Sequence, residues 1–425
     1  MEKSTDQIKS SNPPLESDKK RSLFKKIFVG VIIALILLSI PLFWIHHLYP
    51  TTSPFKAISY MNYHRMHPHQ NIVKRTIGFA PSWQLDKMQS IRLDLLTDVI
   101  FFSLTIDDQG NFATKNSKGA DEPGWVAWNR APANDLLAKI QIMGGHTGLT
   151  ISVLNNTNIK NFLSSDSDQT NLINSTIEQI KQKHLNLINL DFEYTGEPSG
   201  DLPDKLTAFV NNMRQEFDSQ VPATELDMNL LARSGRDPGL FEIEKLKSTV
   251  NNFIVMSYDY YTGGSDSAGP VAPMNGYSTK KYFFDVATTY SDLLKLVSAD
   301  KIIMGVPYYG YDWPVKDKTN LRSLSLTQSD ANGYIETLSY GRARQDAKFS
   351  GDNCHFDDLA QAPWCGYTDP TTGKDRVAWF ENNESIKVKY NFAKTENLAG
   401  VAIWSLGYDK DYPDLWDILR QTLAN

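Results

Sequence analysis

The stretch Leu187-Ile188-Asn189-Leu190-Asp191-Phe192-Glu193-Tyr194 alternates polar and apolar side chains. In a β-strand alternate side chains share a face, so Asn189, Asp191 and Glu193 point one way, with successive Cα atoms about 6.6 Å apart. Ile188, Leu190 and Phe192 then point the other way, toward covering helices. Two carboxylates this close oppose each other's ionisation, and one can keep its proton near neutral pH and act as a general acid. Polar side chains aimed into a barrel are costly unless they stand at its open end. By pattern alone two readings remain open: a general-acid site, or the salt-bridged end of a strand.

The elements that would position such a site recur along the chain. Short apolar runs rich in β-branched residues occupy Thr76–Ala80, Asp98–Leu104, Gly148–Leu154, Leu185–Glu193, Glu225–Ala232, Asn252–Tyr258, Lys301–Val306 and Ala399–Trp404. Between them lie segments such as Thr170–Lys183 and Leu202–Phe217, with apolar residues at three- and four-residue spacing, which predicts helices. Eight strands alternating with helices read as parallel βαβ units, and eight is the number that closes a (β/α)8 TIM barrel. The rival is an open doubly wound sheet. That fold would place a Gly-rich phosphate turn after an early strand, where this chain has Pro81-Ser82-Trp83.

The gap from Gly310 to about Glu381 is too long for one βα loop. It reads as a small subdomain, about residues 311–381, inserted between strand 7 and helix 7. It carries both cysteines, Cys354 and Cys365. Outside the cytoplasm these can pair, and closing so short a loop would contribute about 2.5–3 kcal/mol.

Residues 1–26 are polar and include Lys19, Lys20, Arg21, Lys25 and Lys26. Ile27–Ile45 follows with no charged residue; its 19 residues would span roughly 29 Å as a helix, close to the thickness of a bilayer's hydrocarbon. No small-x-small cleavage site follows it. Trp44 and Tyr49 suit the far membrane interface. Five Lys/Arg fall in the 15 residues before the run and one, Lys56, in the 15 after it. That asymmetry predicts an uncleaved signal anchor with a cytoplasmic tail at 1–26 and the body outside the cytoplasm, with late cleavage near Thr51 as the alternative. Residues 46–74 read as a stalk. Its His64, His67 and His69 have no Cys, Asp or Glu beside them, so a solvated loop is expected there rather than a metal site.

Composition narrows the rest. Of 425 residues 41% are hydrophobic and 22% charged, which is globular usage and not that of a disordered chain. The formal net charge is −6, although the first 50 residues hold seven basic and four acidic side chains. The body is therefore acidic, which argues against a broad nucleic-acid surface. No HExxH, P-loop or GxSxG stands in the sequence, and no metal or cofactor is expected.

With these residues in hand the chain resembles glycoside hydrolase family 18, the chitinase-like barrels. Asn186 to Glu193 is similar to that family's DxxDxDxE signature, with Asp191 and Glu193 at the last two acidic positions and Asn186 and Asn189 at the first two. Met256-Ser257-Tyr258-Asp259 resembles its MxYD after the sixth strand. Gly305-Val306-Pro307-Tyr308-Tyr309-Gly310 resembles its GxPxYG after the seventh. Gly400-Val401-Ala402-Ile403-Trp404-Ser405 resembles its eighth strand, and Gly78-Phe79 with Trp83 its first. Gly269–Pro273 and Trp404–Asp409 look most like the branch of spore-cortex peptidoglycan hydrolases and di-N-acetylchitobiase-like enzymes.

The resemblance implies cleavage of β-1,4-linked N-acetylglucosamine glycans without an enzyme nucleophile, the substrate's own acetamido oxygen attacking C1. It gives Glu193 the acid and base role, has Asp191 orient the acetamido group, and has Tyr258 donate to the acetamido oxygen. Asp259 would meet sugar hydroxyls and Trp404 would stack on a sugar face. Phe79, Met256 and Asn189 would shape the same pocket. Tyr308, Tyr309, Tyr311 and Trp313 either line a sugar cleft or pack the insertion, and Tyr308 and Tyr311 are taken as substrate contacts. Asn189 cannot ionise, so Asp191 should ionise more readily than with an acid there. The family's SxGG on the third strand is replaced by Ser152-Val153-Leu154-Asn155. The expected partner is an N-acetylglucosamine-containing glycan, peptidoglycan before chitin oligosaccharide, with the membrane reached through residues 27–45. Two other classes stay open: a glycan-binding protein without turnover, and an envelope scaffold.

Overall fold

Eight of the runs rich in Val, Ile, Leu and Phe become parallel strands. In the computed structural model, which describes residues 16–49, 52–68, 70, 72–88 and 91–424, the first seven are β1 (Arg75–Pro81), β2 (Asp98–Leu104), β3 (His146–Val153), β4 (Leu187–Phe192), β5 (Glu225–Leu231), β6 (Phe253–Met256) and β7 (Ile302–Pro307). The insertion supplies β8 (Tyr309–Pro314), β9 (Glu336–Ser339), β10 (Cys354–Asp357), β11 (Ala362–Thr368) and β12 (Asp375–Trp379), and β13 (Gly400–Trp404) closes the barrel. The closed order is β1-β2-β3-β4-β5-β6-β7-β13, with β13 parallel to β1. This is the expected TIM barrel.

The period of two sorts the side chains. Ile188, Leu190 and Phe192 are buried against the outer helices, where Phe192 lies 6.0 Å from both Phe162 and Phe209. The helices Asp166–Lys183 and Leu202–Gln220 turn Leu172, Thr176, Ile177 and Ile180, and Leu206, Phe209, Val210 and Met213, inward. Inside the barrel Ile77, Phe79, Ile100, Leu187, Ile254, Ile303 and Ala402 form a separate apolar cluster.

The end where the strands begin is closed by charge. Arg75 grips Asp98 through Nε (3.1 Å) and Nη2 (2.6 Å) and reaches Glu225 from Nη1 (2.8 Å). Its Nη1 stands 3.9 Å from Asp227, and His146 lies 3.4 Å from Asp98.

The insertion is an antiparallel sheet in the order β10-β11-β12-β8-β9, between β7 and the helix Asn383–Thr395. Cys354 and Cys365 face each other across β10 and β11 and form the expected disulfide. Buried Arg376 donates to Asp312 (3.0 Å), and Tyr367 also donates to Asp312. Gly310 is a tight crossing: a Cβ there would lie 1.9 Å from the Trp379 carbonyl oxygen.

Helix α1 (Glu16–Leu48) contains the charge-free run, and its stretch Leu23–Leu48 is long and apolar enough to cross a membrane. Residues 1–15 of the expected tail lie outside the described residues. The expected solvated loop is corrected in part. Residues Pro54–Met66 form helix α2, capped by Ser53, whose Oγ accepts from Lys56 N (3.3 Å). α2 packs on the helix Ala131–Ile142: Lys56 pairs with Asp135, and Lys139 Nζ sits 4.4 Å from the centre of the Tyr63 ring. The sequence reading missed this helix because its apolar residues follow no clean stripe. His67 stacks on Tyr63 at 4.3 Å, and His69 lies outside the described residues.

Candidate active site

Strand β4 carries three polar side chains up the inside of the barrel. Asn189, fully buried, donates to Thr150 Oγ1 (3.2 Å), and its Oδ1 has no partner. Asp191 stands two residues higher at 1% exposure, accepting from Asn229 Nδ2 (2.9 Å) while its Oδ2 is left without a partner. Glu193 is half-buried just past the strand end, where its backbone N–H donates to Val153 O (3.1 Å).

The carboxyls meet in a cavity of about 360 Å³, within the usual size of small-molecule sites. Phe79, Phe102 and Trp404 line one side; Met256, Tyr258 and Asp259 line another. The aromatic side is itself packed, Trp404 lying 4.6 Å from Phe102 and 5.8 Å from Phe79 between ring centres. Such a surface suits the C–H face of a sugar ring.

Tyr258 is aimed inward by its neighbours. Ser257 points the opposite way, donating to Gly305 O (2.7 Å) and bonding to the Tyr290 hydroxyl (2.9 Å). Gly305 leaves room for the ring, since a Cβ there would lie 2.9 Å from Tyr258 Cε1 and 2.4 Å from Val255 O. Asp259, at the mouth with φ of 59°, accepts from Tyr309 (2.6 Å) and Tyr311 (3.0 Å) through one oxygen. Aspartate is among the few residues that tolerate this left-handed backbone.

No lysine, arginine or histidine pairs with Asp191 or Glu193 among the described residues, so the salt-bridged strand end is not what forms here. Burial, and after it the charge of Glu193, push Asp191 up to about 7 against the Asn229 hydrogen bond. Glu193 is raised by burial and then by the charge of Asp259. Asp259 is raised by burial, against the two tyrosine hydrogen bonds. Tyr258 is raised well above its ordinary value by burial and the three nearby carboxyls. The amide at Asn189 therefore does not leave Asp191 an ordinary acid: loss of water around the carboxyl outweighs the missing like charge. A buried pair of this kind can hold a proton near neutral pH and deliver it.

The structure gathers Phe79, Asp191, Glu193, Met256, Tyr258, Asp259 and Trp404 on one cavity. Three expected substrate contacts do not line it. Tyr308 is 1% exposed and its hydroxyl bonds to that of Tyr390 (2.6 Å); it follows β7 pointing outward and packs under the helix Asn383–Thr395. Tyr311 holds Asp259 from behind. Asn189 lies a layer below the cavity floor. Asn186, at the first signature position, accepts the backbone N–H of Thr147 (3.0 Å) and serves the β3–β4 junction.

Asn229, Phe102, Arg233 and Phe283 also line the cavity and escaped the sequence reading. Asn229 had a signal: Glu225, Asp227 and Asn229 alternate on β5 as the polar residues do on β4. The described residues contain no His/Cys/Asp/Glu group suited to a metal ion.

Comparison with known proteins agrees with this geometry. Residues 75–409 match the glycosyl hydrolases family 18. Di-N-acetylchitobiase of Rattus norvegicus is 26% identical over 264 residues, covering 57% of this chain and 69% of that protein. The cortical fragment-lytic enzyme of Bacillus subtilis (strain 168) is 25% identical over 259 residues, 60% of this chain and 54% of that one. Among solved structures, the spore cortex-lytic enzyme of Bacillus megaterium QM B1551 superposes with a TM-score of 0.65 at 20% identity, covering 83% of this chain and 75% of that one. The Group IV chitinase of Ostrinia furnacalis gives 0.70 at 17% identity, with 83% and 100% covered. The structural likenesses speak for the fold. The matched span takes in every barrel strand, the insertion and the carboxyl pair of β4, and on it the chain belongs to glycosyl hydrolase family 18.

Proposed function

We propose that this protein is a membrane-anchored glycosidase that cleaves β-1,4-linked N-acetylglucosamine glycans, peptidoglycan before chitin oligosaccharides, with retention and with help from the substrate's acetamido group. The observation that carries the reading is the pair Asp191 and Glu193 on one face, without a counter-ion among the described residues, opening into a cavity walled by Trp404, Phe102 and Phe79. Relatives named as a chitobiase and a cortical fragment-lytic enzyme support the substrate class.

In this reading a pyranose stacks on Trp404. Glu193 gives its proton to the glycosidic oxygen as the C1–O bond breaks. The acetamido oxygen closes on C1, forming an oxazolinium. Asp191 receives the acetamido N–H and offsets the positive charge, and Tyr258 donates to the acetamido oxygen. Glu193, now a carboxylate, takes a proton from water as that water attacks C1 and reopens the ring. α1 anchors the enzyme, its basic flank on the cytoplasmic side and the barrel beyond the membrane.

The test incubates the full chain with purified peptidoglycan and with chitin oligosaccharides, reading products by mass spectrometry. Products from the parent, and none from Glu193→Gln, are expected. Asn189, an amide where the resembling signature has an acid, favours one other reading, glycan binding without turnover. Saturable binding with no products from the parent would establish it.

A further inference from the structure

Arg233 is the only lysine or arginine among the described residues lining the cavity, and the mechanism above does not use it. It stands in the turn after β5, with its side chain 49% exposed. Its guanidinium is held from two sides: Nη2 donates to Asp237, and the group lies over the ring of buried Phe284, 5.3 Å from its centre. Nε and Nη1 have no acceptor among the described residues. A guanidinium held in a fixed plane with free donors is shaped to take a carboxylate in a two-pronged grip. Arg233 also forms no ion pair with the acids of the site among the described residues: burial raises all three, and a neighbouring carboxylate adds to it for Asp191 and Glu193.

Its place around the barrel says what it would meet. β5 lies opposite β1 in the closed order, four strands away either way round. The aromatic wall comes from β1, β2 and β13. A sugar stacked on that wall, with its linkage at Glu193 just past β4, directs its neighbour or its ring substituents across to the β5 turn. Beside Arg233 the cavity offers Phe283, 49% exposed, an apolar surface next to the charge. A carboxylate with a small apolar group attached fits both. Three acids line the same cavity, so an anionic substituent would be repelled there without Arg233.

We propose that Arg233 recognises a carboxylate on the sugar next to the cleaved N-acetylglucosamine, making the site selective for acidic glycans that bear a lactyl ether over neutral chito-oligosaccharides. This rests on the glycan-binding reading of the cavity and deepens it.

The test separates binding from turnover. Affinities are measured calorimetrically with the full chain in detergent, carrying Glu193→Gln so that ligand survives. Three tetrasaccharides of equal length serve as probes: chitotetraose, alternating N-acetylglucosamine and N-acetylmuramic acid with free carboxylates, and the methyl ester of the latter. The free acid should bind more tightly than both others, and added Arg233→Gln should lower that preference about tenfold. Arg233→Lys should recover part of it. Asp237, the partner left behind, is half exposed, so Arg233→Gln should keep the parent's melting temperature. An unchanged preference in Arg233→Gln, or ester and acid bound alike by the parent, overturns the role of Arg233. Preference without turnover in the Glu193-containing parent keeps Arg233 and removes the hydrolase reading. Absence of binding to all three probes overturns both.

Discussion

The two ends of the barrel treat buried carboxylates in opposite ways. Where the strands begin, Asp98 is buried as deeply as Asp191 is at the other end, yet hydrogen bonds from His146 and Arg75, and the charge of Arg75, outweigh burial and hold it down at about 2. Where the strands finish, Asp191 and Glu193 have no cation paired with them among the described residues, and Asp191 is pushed up to about 7. Residue type and burial are shared, and the counter-ion differs. An acid with a partner is a structural tie, and an acid denied one keeps a proton that chemistry can use. Asp227 marks the boundary: burial raises it to about 7 although Arg75 Nη1 stands 3.9 Å away. Arg75, together with His146, holds down the carboxyl it grips and not the one it only approaches.

That contrast can be broken from either end. The largest effect is expected from Glu193→Gln, which removes the proton donor. Turnover should fall about 10²–10⁴-fold with the melting temperature nearly unchanged, and full activity would remove Glu193 from the acid role. Arg75→Met acts at the other end. It leaves buried Asp98 without its arginine, with only His146 and Thr97 beside it, and should cost up to about 3 kcal/mol by denaturant unfolding, with turnover per folded molecule largely kept. Asp98 also sets a pH signature. Its folded value lies below its ordinary one, so its stabilisation is present above the ordinary carboxylate range and lost as pH falls toward 2.

Asp191→Asn should show the reverse sign. The folded value of about 7 is above the ordinary one, so the parent loses stability as pH rises from about 4 through 7. The variant escapes that loss and should be more stable than the parent at pH 8, by about 1–3 kcal/mol, while turning over slowly. Equal stability curves would show that Asp191 ionises as an exposed acid does. The smallest change is expected from Asn189→Asp. A new like charge below Asp191 should move the alkaline limb of the kcat/KM profile upward by about one pH unit. A downward shift would show that the pair's proton is governed from elsewhere.

The barrel was legible because its signal is repetitive. Eight apolar runs of strand length, separated by helical periodicity, leave few arrangements, and all eight lie where the pattern puts them. The carboxyl pair was legible because a strand keeps its alternation: Asp191 and Glu193 share a face by covalent geometry alone. Sequence could not say which way a residue just past a strand turns. Tyr308 and Tyr309 are neighbours, yet one goes out to Tyr390 and the other in to Asp259, a choice fixed by the register of β7. Nor could it show Arg233 and Phe283 at one rim, because the turn after β5 and the loop after β6 meet through tertiary contacts, Arg233 over Phe284 and Arg236 over Tyr277 and Phe284. α2 went unseen because its burial rests on Ala57, Tyr63 and an ion pair rather than on an apolar stripe.

If α1 anchors the chain as proposed, the docking of α2 on the barrel sets a working height. Between Leu48, the last residue of α1, and Pro54, the first of α2, lie five residues, a span of at most about 20 Å even when fully stretched. With α2 fixed to the helix Ala131–Ile142, no further slack remains. On the anchored reading the enzyme works as a short-armed tool, reaching only the glycan layer next to its own bilayer. Strands farther out would come within range only as they are built or drawn inward.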